Sequence, residues 1–154
     1  MTSWSTFAAE AEDLAAAGRA IWAEHVLMYL ATTRLDGSPR IHPVVPVLAE
    51  GTVCVAIPEC SPKWRDLERD PRCGLHALPG QRDDEFVLRC RAASAAHLRA
   101  AVAEEADHVI HDEDHIFEFD IEQVDLGYWE NVGQPGTYAV RHRWVPGTTT
   151  QLKP

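Results

Sequence analysis

Arg40, Ser61 and Lys63 are the residues of this chain whose types and order could hold an anion. The arginine opens an extended run, Arg40-Ile41-His42-Pro43-Val44-Val45-Pro46-Val47. A second such run, Val53-Cys54-Val55-Ala56-Ile57, leads into Ser61-Pro62-Lys63-Trp64-Arg65-Asp66-Leu67, which reads as a short helix. The first turn of a helix leaves backbone N–H groups unpaired, and a hydroxyl and an ammonium beside them suit a phosphate or carboxylate. Each member has a plainer reading. An arginine near a strand start is an ordinary solvated charge, and Ser-Pro before a helix is a serine N-cap with proline at the first helical position. Only their combination points to a ligand. It stands out because the chain has 24 acidic against 14 basic residues, a net charge of −10.

Other residues invite chemistry with less support. His42 has the ordinary imidazole pKa near neutrality and could move a proton. His108, His111 and His115, with Asp112, Glu113 and Asp114 between them, are ligand types that zinc accepts. Their spacing matches no H-E-x-x-H helix, and the acidic run reads as a solvated loop, so no metal is expected. Cys54, Cys60, Cys73 and Cys90 contain no C-x-x-C pair, which weakens zinc-ribbon and thioredoxin readings. Cys54 and Cys90 lie in apolar runs and should behave as small core residues.

The elements that must position these groups follow from pattern. Residues 6–25 are alanine-rich and read as one or two helices, with Gly18 a possible break. Residues 26–33 turn β-like, Asp36-Gly37-Ser38-Pro39 is a turn signal, and residues 40–48 return as a strand, completing a hairpin. Glu50-Gly51 is a second turn before a strand at 52–58, so three strands in a row predict an antiparallel meander. A helix at 61–69, a strand at 73–78, a polar loop at 79–84 and a strand at 85–92 follow. Residues 94–106 read as a helix with Leu98 and Val102 inward. Residues 116–126 alternate apolar and acidic side chains, and 138–145 form a last strand. Pro43 and Pro46 cannot donate to a ladder, so their strand should be an edge or a bulged one, with backbone groups free for a ligand. The pattern predicts a mainly β (α+β) fold: an antiparallel split β-barrel with a few peripheral helices. It forms one domain over residues 1–146, with 147–154 as a mobile tail.

The acidic balance argues against nucleic acid and anionic membranes as partners. No apolar run reaches the length of a membrane span, and the N-terminus does not read as a secretory signal. A cytoplasmic protein with reduced thiols is expected.

With these elements in place, Ala31-Thr32-Thr33-Arg34-Leu35-Asp36-Gly37-Ser38-Pro39-Arg40-Ile41-His42-Pro43-Val44 resembles the opening hairpin of the split-barrel flavoproteins related to pyridoxamine 5'-phosphate oxidase. Ser61-Pro62-Lys63, then Leu67 and Asp70-Pro71-Arg72, is similar to that family's phosphate-binding turn. The resemblance implies FMN at a homodimer interface. Arg40, Ser61 and Lys63 would hold its phosphate. The backbone of His42, Pro43, Val44 and Val45, continuing from Ile41, would meet the ring edge, and Ala56 and Ile57 would flank the ribityl chain. Trp64 stands where the family usually has a small residue, and would narrow the pocket or stack on a ring. Trp129 or Trp144 would cover a flavin from the neighbouring subunit. The implied activity is two-electron oxidoreduction of a small molecule. The alternatives are a deazaflavin-dependent reductase of the same fold and a flavin- or haem-binding module without turnover. Arg141-His142-Arg143 does not match the arginine–histidine substrate motif of the vitamin B6 oxidases, so pyridoxamine phosphate is not the expected substrate.

Overall fold

The computed structural model of the chain describes residues 1–79 and 82–152; two residues of the polar loop and the last two of the tail lie outside the description. Four helices, α1 (Trp4–Glu10), α2 (Glu12–Glu24), α3 (Lys63–Arg69) and α4 (Arg99–Glu105), surround nine strands. The strands are β1 (Met28–Thr33), β2 (Pro39–Val44), β3 (Val47–Ala49), β4 (Thr52–Ile57), β5 (Arg72–Ala77), β6 (Glu85–Ser94), β7 (His115–Glu130), β8 (Tyr138–Val145) and β9 (Thr148–Leu152). All pairings are antiparallel, and the main path runs β2-β1-β5-β6-β7-β4-β3, with β8 on β7 and β9 on β8.

The order explains the split. The meander expected from three successive strands does not form: β2 pairs with β1 at one end of the path, and β3 pairs with β4 at the other. The strand expected over 40–48 breaks at Val45-Pro46, because Pro46 has no N–H for a ladder. Those two residues carry the chain from one edge to the other. From Val44 to Val47 a chain reaches at most about 10 Å, so the two edges lie close without pairing. The sheet therefore curls but does not close. As the prolines predict, β2 is an edge.

Strand β7 organises the rest. One edge pairs with β6 from Phe117 to Gly127, with Glu122 left over at a bulge. The other edge takes β4 at His115–Glu118 and β8 at Val124–Glu130. The N-terminus fills the gap between them: Ile121 N–H donates to the Thr2 carbonyl at 2.9 Å, and Thr2 N–H donates to Asp120 at 2.5 Å. The core lies inside this curl, where Phe7, Phe86, Phe119, Leu30, Leu88 and Trp144 are fully buried. A smaller cluster under α4 joins Val47, Cys54, Leu98, Val102 and Ile116.

The N-terminal helices break at Ala11 (φ −144°, ψ 62°) and not at Gly18. Gly18 stays inside α2 because the helix crosses the Phe86 ring there; a Cβ at this position would collide with it. Residues 148–152, expected within a mobile tail, form β9 instead, since Thr148–Leu152 pairs with Arg141–Val145 across the turn at Gly147 (φ +81°). Three threonines in succession suit that strand.

Candidate functional site

Alternation along β2 decides which side chains face inward. Arg40, His42 and Val44 lie opposite Thr32, Leu30 and Met28 of β1. Thr32, Leu30 and Met28 are buried, so the first set shares the inner face at the split. Ile41 and Pro43 lie opposite Ala31 and Tyr29 on the outer face, where Ile41 is 63% and Tyr29 43% exposed.

On the inner face α3 meets β1 and β2 through one carboxylate. Asp66 is 3% exposed. It accepts the Arg40 Nε–H at 2.6 Å, the Thr32 hydroxyl at 3.1 Å and an Arg69 Nη2–H at 3.3 Å. These contacts hold its carboxyl below the usual range against the opposing effect of burial. Arg69 also donates to the Thr33 carbonyl. Arg40 is thus fixed by its Nε, and its outer guanidinium nitrogens make no hydrogen bond among the described residues.

Lys63 has no ion-pair partner among the described residues. Burial first, and then the Arg40 charge, push its ammonium below its ordinary pKa. Burial and the charges of Lys63, Arg40 and Arg34 do the same to His42. Two or three like charges pressing on one another, with Asp66 the only carboxylate bonded to them among the described residues, make a site that an anion would relieve.

Ser61 is placed differently from expectation. Pro62 is the residue that precedes α3, and no side chain caps the helix. The Ser61 N–H donates to the Pro58 carbonyl at 2.8 Å, and its hydroxyl makes no hydrogen bond among the described residues. Ala56 and the fully buried Ile57 end β4 just before this turn.

Trp64 is turned toward β7. Its indole N–H donates to the Glu59 carbonyl at 2.9 Å. Its ring stacks on His115, with centroids 4.0 Å apart and planes 12° apart, and the Arg65 guanidinium carbon lies 4.5 Å from the ring centroid. His115 in turn bonds Glu59. An indole engaged by an imidazole and a guanidinium has little face left for a bound ring. Of the two tryptophans expected to cover a flavin, Trp144 is fully buried and has no face to offer, whereas Trp129 is 44% exposed.

The histidine-rich segment is a folded turn. Asp114 is buried and accepts the His111 N–H at 2.9 Å, while Arg99 donates to the His111 carbonyl at 2.6 Å and the Asp114 carbonyl at 2.5 Å. Among the described residues no three metal-ligating side chains converge.

The sequence reading assigned no site role to Asp66, Thr32 or Arg34. A carboxylate three residues after Lys63 in the opening turn of α3 was the available signal for Asp66. Thr32 had none, because its role depends on the β1–β2 register.

An open split barrel with a cationic cluster at its seam defines a class, and comparison gives it a family. The model of the pyridoxamine 5'-phosphate oxidase family matches residues 14–128; the chain belongs to that family. No curated protein matches. Among solved structures, a pyridoxamine 5'-phosphate oxidase-related, FMN-binding protein from Nostoc punctiforme superposes with a TM-score of 0.70 at 14% identity, over 90% of this chain and 95% of that one. A haem-binding protein from Mycobacterium smegmatis gives 0.60 at 20% identity over 79% of this chain; the match spans only 55% of that longer protein. PhzG from Burkholderia lata, solved with tetrahydrophenazine-1-carboxylic acid, gives 0.62 at 14% identity over 98% and 93%. At these identities the structures share the fold.

Proposed function

We propose that this chain is an FMN-binding oxidoreductase, working as a homodimer on a small molecule. The observation that carries the reading is the cluster of Arg40, His42 and Lys63 at the seam, where Arg40 is aimed by a buried carboxylate and Lys63 has no counter-charge among the described residues. Phosphate fits this donor set: a guanidinium with free outer nitrogens, an ammonium and the Ser61 hydroxyl. The backbone from Ile41 through Val45, on an edge strand interrupted by two prolines, has groups free for the rim of a heteroaromatic ring. Ala56 and Ile57 leave an apolar wall for the chain between ring and phosphate. Bound flavin would supply the two-electron chemistry, and the protein's part is to orient it and exclude water. His42, held toward its neutral form, is suited to hydrogen bonding and not to carrying a second charge into the site.

The homodimer rests on the outer face of the same hairpin. Ile41, Tyr29, Leu35 and Leu27 are all exposed there, beside a ligand site covered on one side only. A second copy would bury both. A cytoplasmic location accords with the four free thiols.

Pyridoxamine phosphate is disfavoured as substrate. Arg141 pairs with Glu85 at 3.3 Å, Arg143 pairs with Asp125 at 2.7 Å, and His142 stacks on Tyr128. These side chains are committed within the sheet, which leaves a second phosphate without a clamp from β8.

The absorbance spectrum of the purified protein tests the reading. A yellow chromophore that is released on denaturation and behaves as FMN supports it. A deazaflavin spectrum or a haem Soret band would replace FMN with one of the other cofactors this fold accepts, and a colourless protein that takes up no added FMN would end it.

A further inference from the structure

The far end of the molecule has a different hollow. Strand β7 runs three residues past Gly127, its last residue paired with β6, so among the described residues one edge of Tyr128–Glu130 has no strand beside it. Helix α2 and the loop at Arg82–Asp84 stand across from that edge. Between them lies a hollow of about 800 Å³, within the size range of small-molecule sites. Ala17, Ala20, Ile21 and Leu126 form its apolar floor, and it shares no lining residue with the cationic seam.

Two features of the lining select a ligand class. The first is Trp129, which borders the hollow and is 44% exposed, next to Val132 at 69%. An exposed indole on an otherwise apolar wall is a stacking surface, and its face attracts cations. The second is charge. The lining includes Glu24, Arg82, Asp83 and Asp84. Arg82 pairs with Asp84 at 3.0 Å, while Glu24 and Asp83 have no cationic partner among the described residues. The rim therefore carries an uncompensated negative charge of two, opposite in sign to the seam. An anion would be repelled here; a flat cation would meet the indole and the carboxylates together.

We propose that this groove is a second ligand site, separate from the seam, for a planar aromatic cation such as a protonated or quaternised nitrogen heterocycle. The ring lies against Trp129 over the floor of α2, its charge faces Glu24 and Asp83, and hydrogen-bonding groups on its rim meet the open edge of β7. The site does not depend on what the seam binds.

Thioflavin T, a flat aromatic cation, is the probe, with 8-anilinonaphthalene-1-sulfonate as an aromatic anion of similar size. Fluorescence titration of the full chain is expected to show saturable binding of thioflavin T at one site per chain and weaker binding of the sulfonate. Trp129→Ala should weaken thioflavin T about tenfold, and Trp129→Phe should restore most of it. The double change Glu24→Gln and Asp83→Asn should weaken it and remove the preference for the cation. Circular dichroism confirms that each variant is folded; all three positions border the hollow and none belongs to the buried core. FMN binding measured in parallel should be the same in the Glu24→Gln, Asp83→Asn variant as in the unaltered chain, since neither carboxylate belongs to the seam. Absence of saturable thioflavin T binding, binding indifferent to Trp129→Ala, or equal binding of the anion would overturn the proposal. So would loss of FMN affinity in the Glu24→Gln, Asp83→Asn variant, which would join this groove to the cofactor site.

Discussion

Two segments of this protein look reactive in sequence, and the structure treats them in opposite ways. The turn at 107–115 has three histidines and four acids within nine residues, yet its polar atoms largely serve one another: Asp114 caps a backbone N–H, and Arg99 ties two carbonyls. The seam at Arg40, His42 and Lys63 has fewer such residues, but they come from separate elements and press like charges together. Among the described residues only Asp66 answers them. Density of chemical residue types is thus a poor guide to a site. Charge left without an internal partner is a better one, because a fold tolerates it only at some cost in stability.

The sharpest way to break this contrast is to remove the one internal answer. Asp66→Ala leaves the half-buried Arg40 unpaired and the Thr32 hydroxyl without its acceptor. Unfolding by denaturant should show a loss of about 3 kcal/mol, and FMN should bind more weakly because Arg40 is no longer aimed. Full stability in this variant would mean that Arg40 finds water as easily as Asp66.

Lys63→Ala acts on ligand and not on fold. It removes a charge-assisted contact worth roughly 1.5–3 kcal/mol, or one to two decades of affinity. The loss should appear for FMN and be nearly absent for riboflavin, as measured by fluorescence titration. Equal losses for both would place the lysine elsewhere.

The turn should respond in the reverse manner. Arg99→Ala removes two hydrogen bonds at a partly exposed site and should cost about 1–2 kcal/mol in thermal unfolding, with FMN affinity unchanged. His111→Ala should leave the metal content of dialysed protein as it was. One tightly held metal per chain, lost in that variant, would give the turn the role denied to it here.

The smallest expected effect is in pH. The folded-state pKa of His42 is lowered, by burial first and then by Lys63, Arg40 and Arg34. Its contribution to stability is therefore complete above the unfolded value near 6.5 and is lost as pH falls through the lowered folded value. Phosphate in the seam would draw this pKa back up, so FMN binding somewhat below pH 6.5 should take up protons. Calorimetry in two buffers of different ionisation enthalpy measures that uptake, which His42→Ala should reduce.

Much of the fold was legible because it rests on local signals. Asp36-Gly37-Ser38-Pro39 announced the first hairpin, and Pro43 and Pro46 an edge. The path of the sheet was not legible. Nothing local says that two residues, Val45 and Pro46, carry the chain across the seam, so β2 and β4 read as neighbours when they are not. The break at Ala11 was hidden for a related reason: Gly18 is the better breaker by propensity, but its contact with Phe86 holds it in the helix. In the site, Arg40 and Lys63 could be named from type and order. Asp66 could not be paired with Arg40 without knowing how α3 packs on β1, and the engagement of Trp64 by His115 joins residues far apart in sequence.

The central claim is that the seam holds a phosphate. Equilibrium titration of the unaltered, cofactor-free protein with FMN and with riboflavin tests it most directly, since the two ligands differ only in that group. With Arg40 and Lys63 both engaged, FMN should bind about a hundredfold more tightly or better, and the difference should shrink as salt is raised. Equal affinities for the two at low salt would contradict the account.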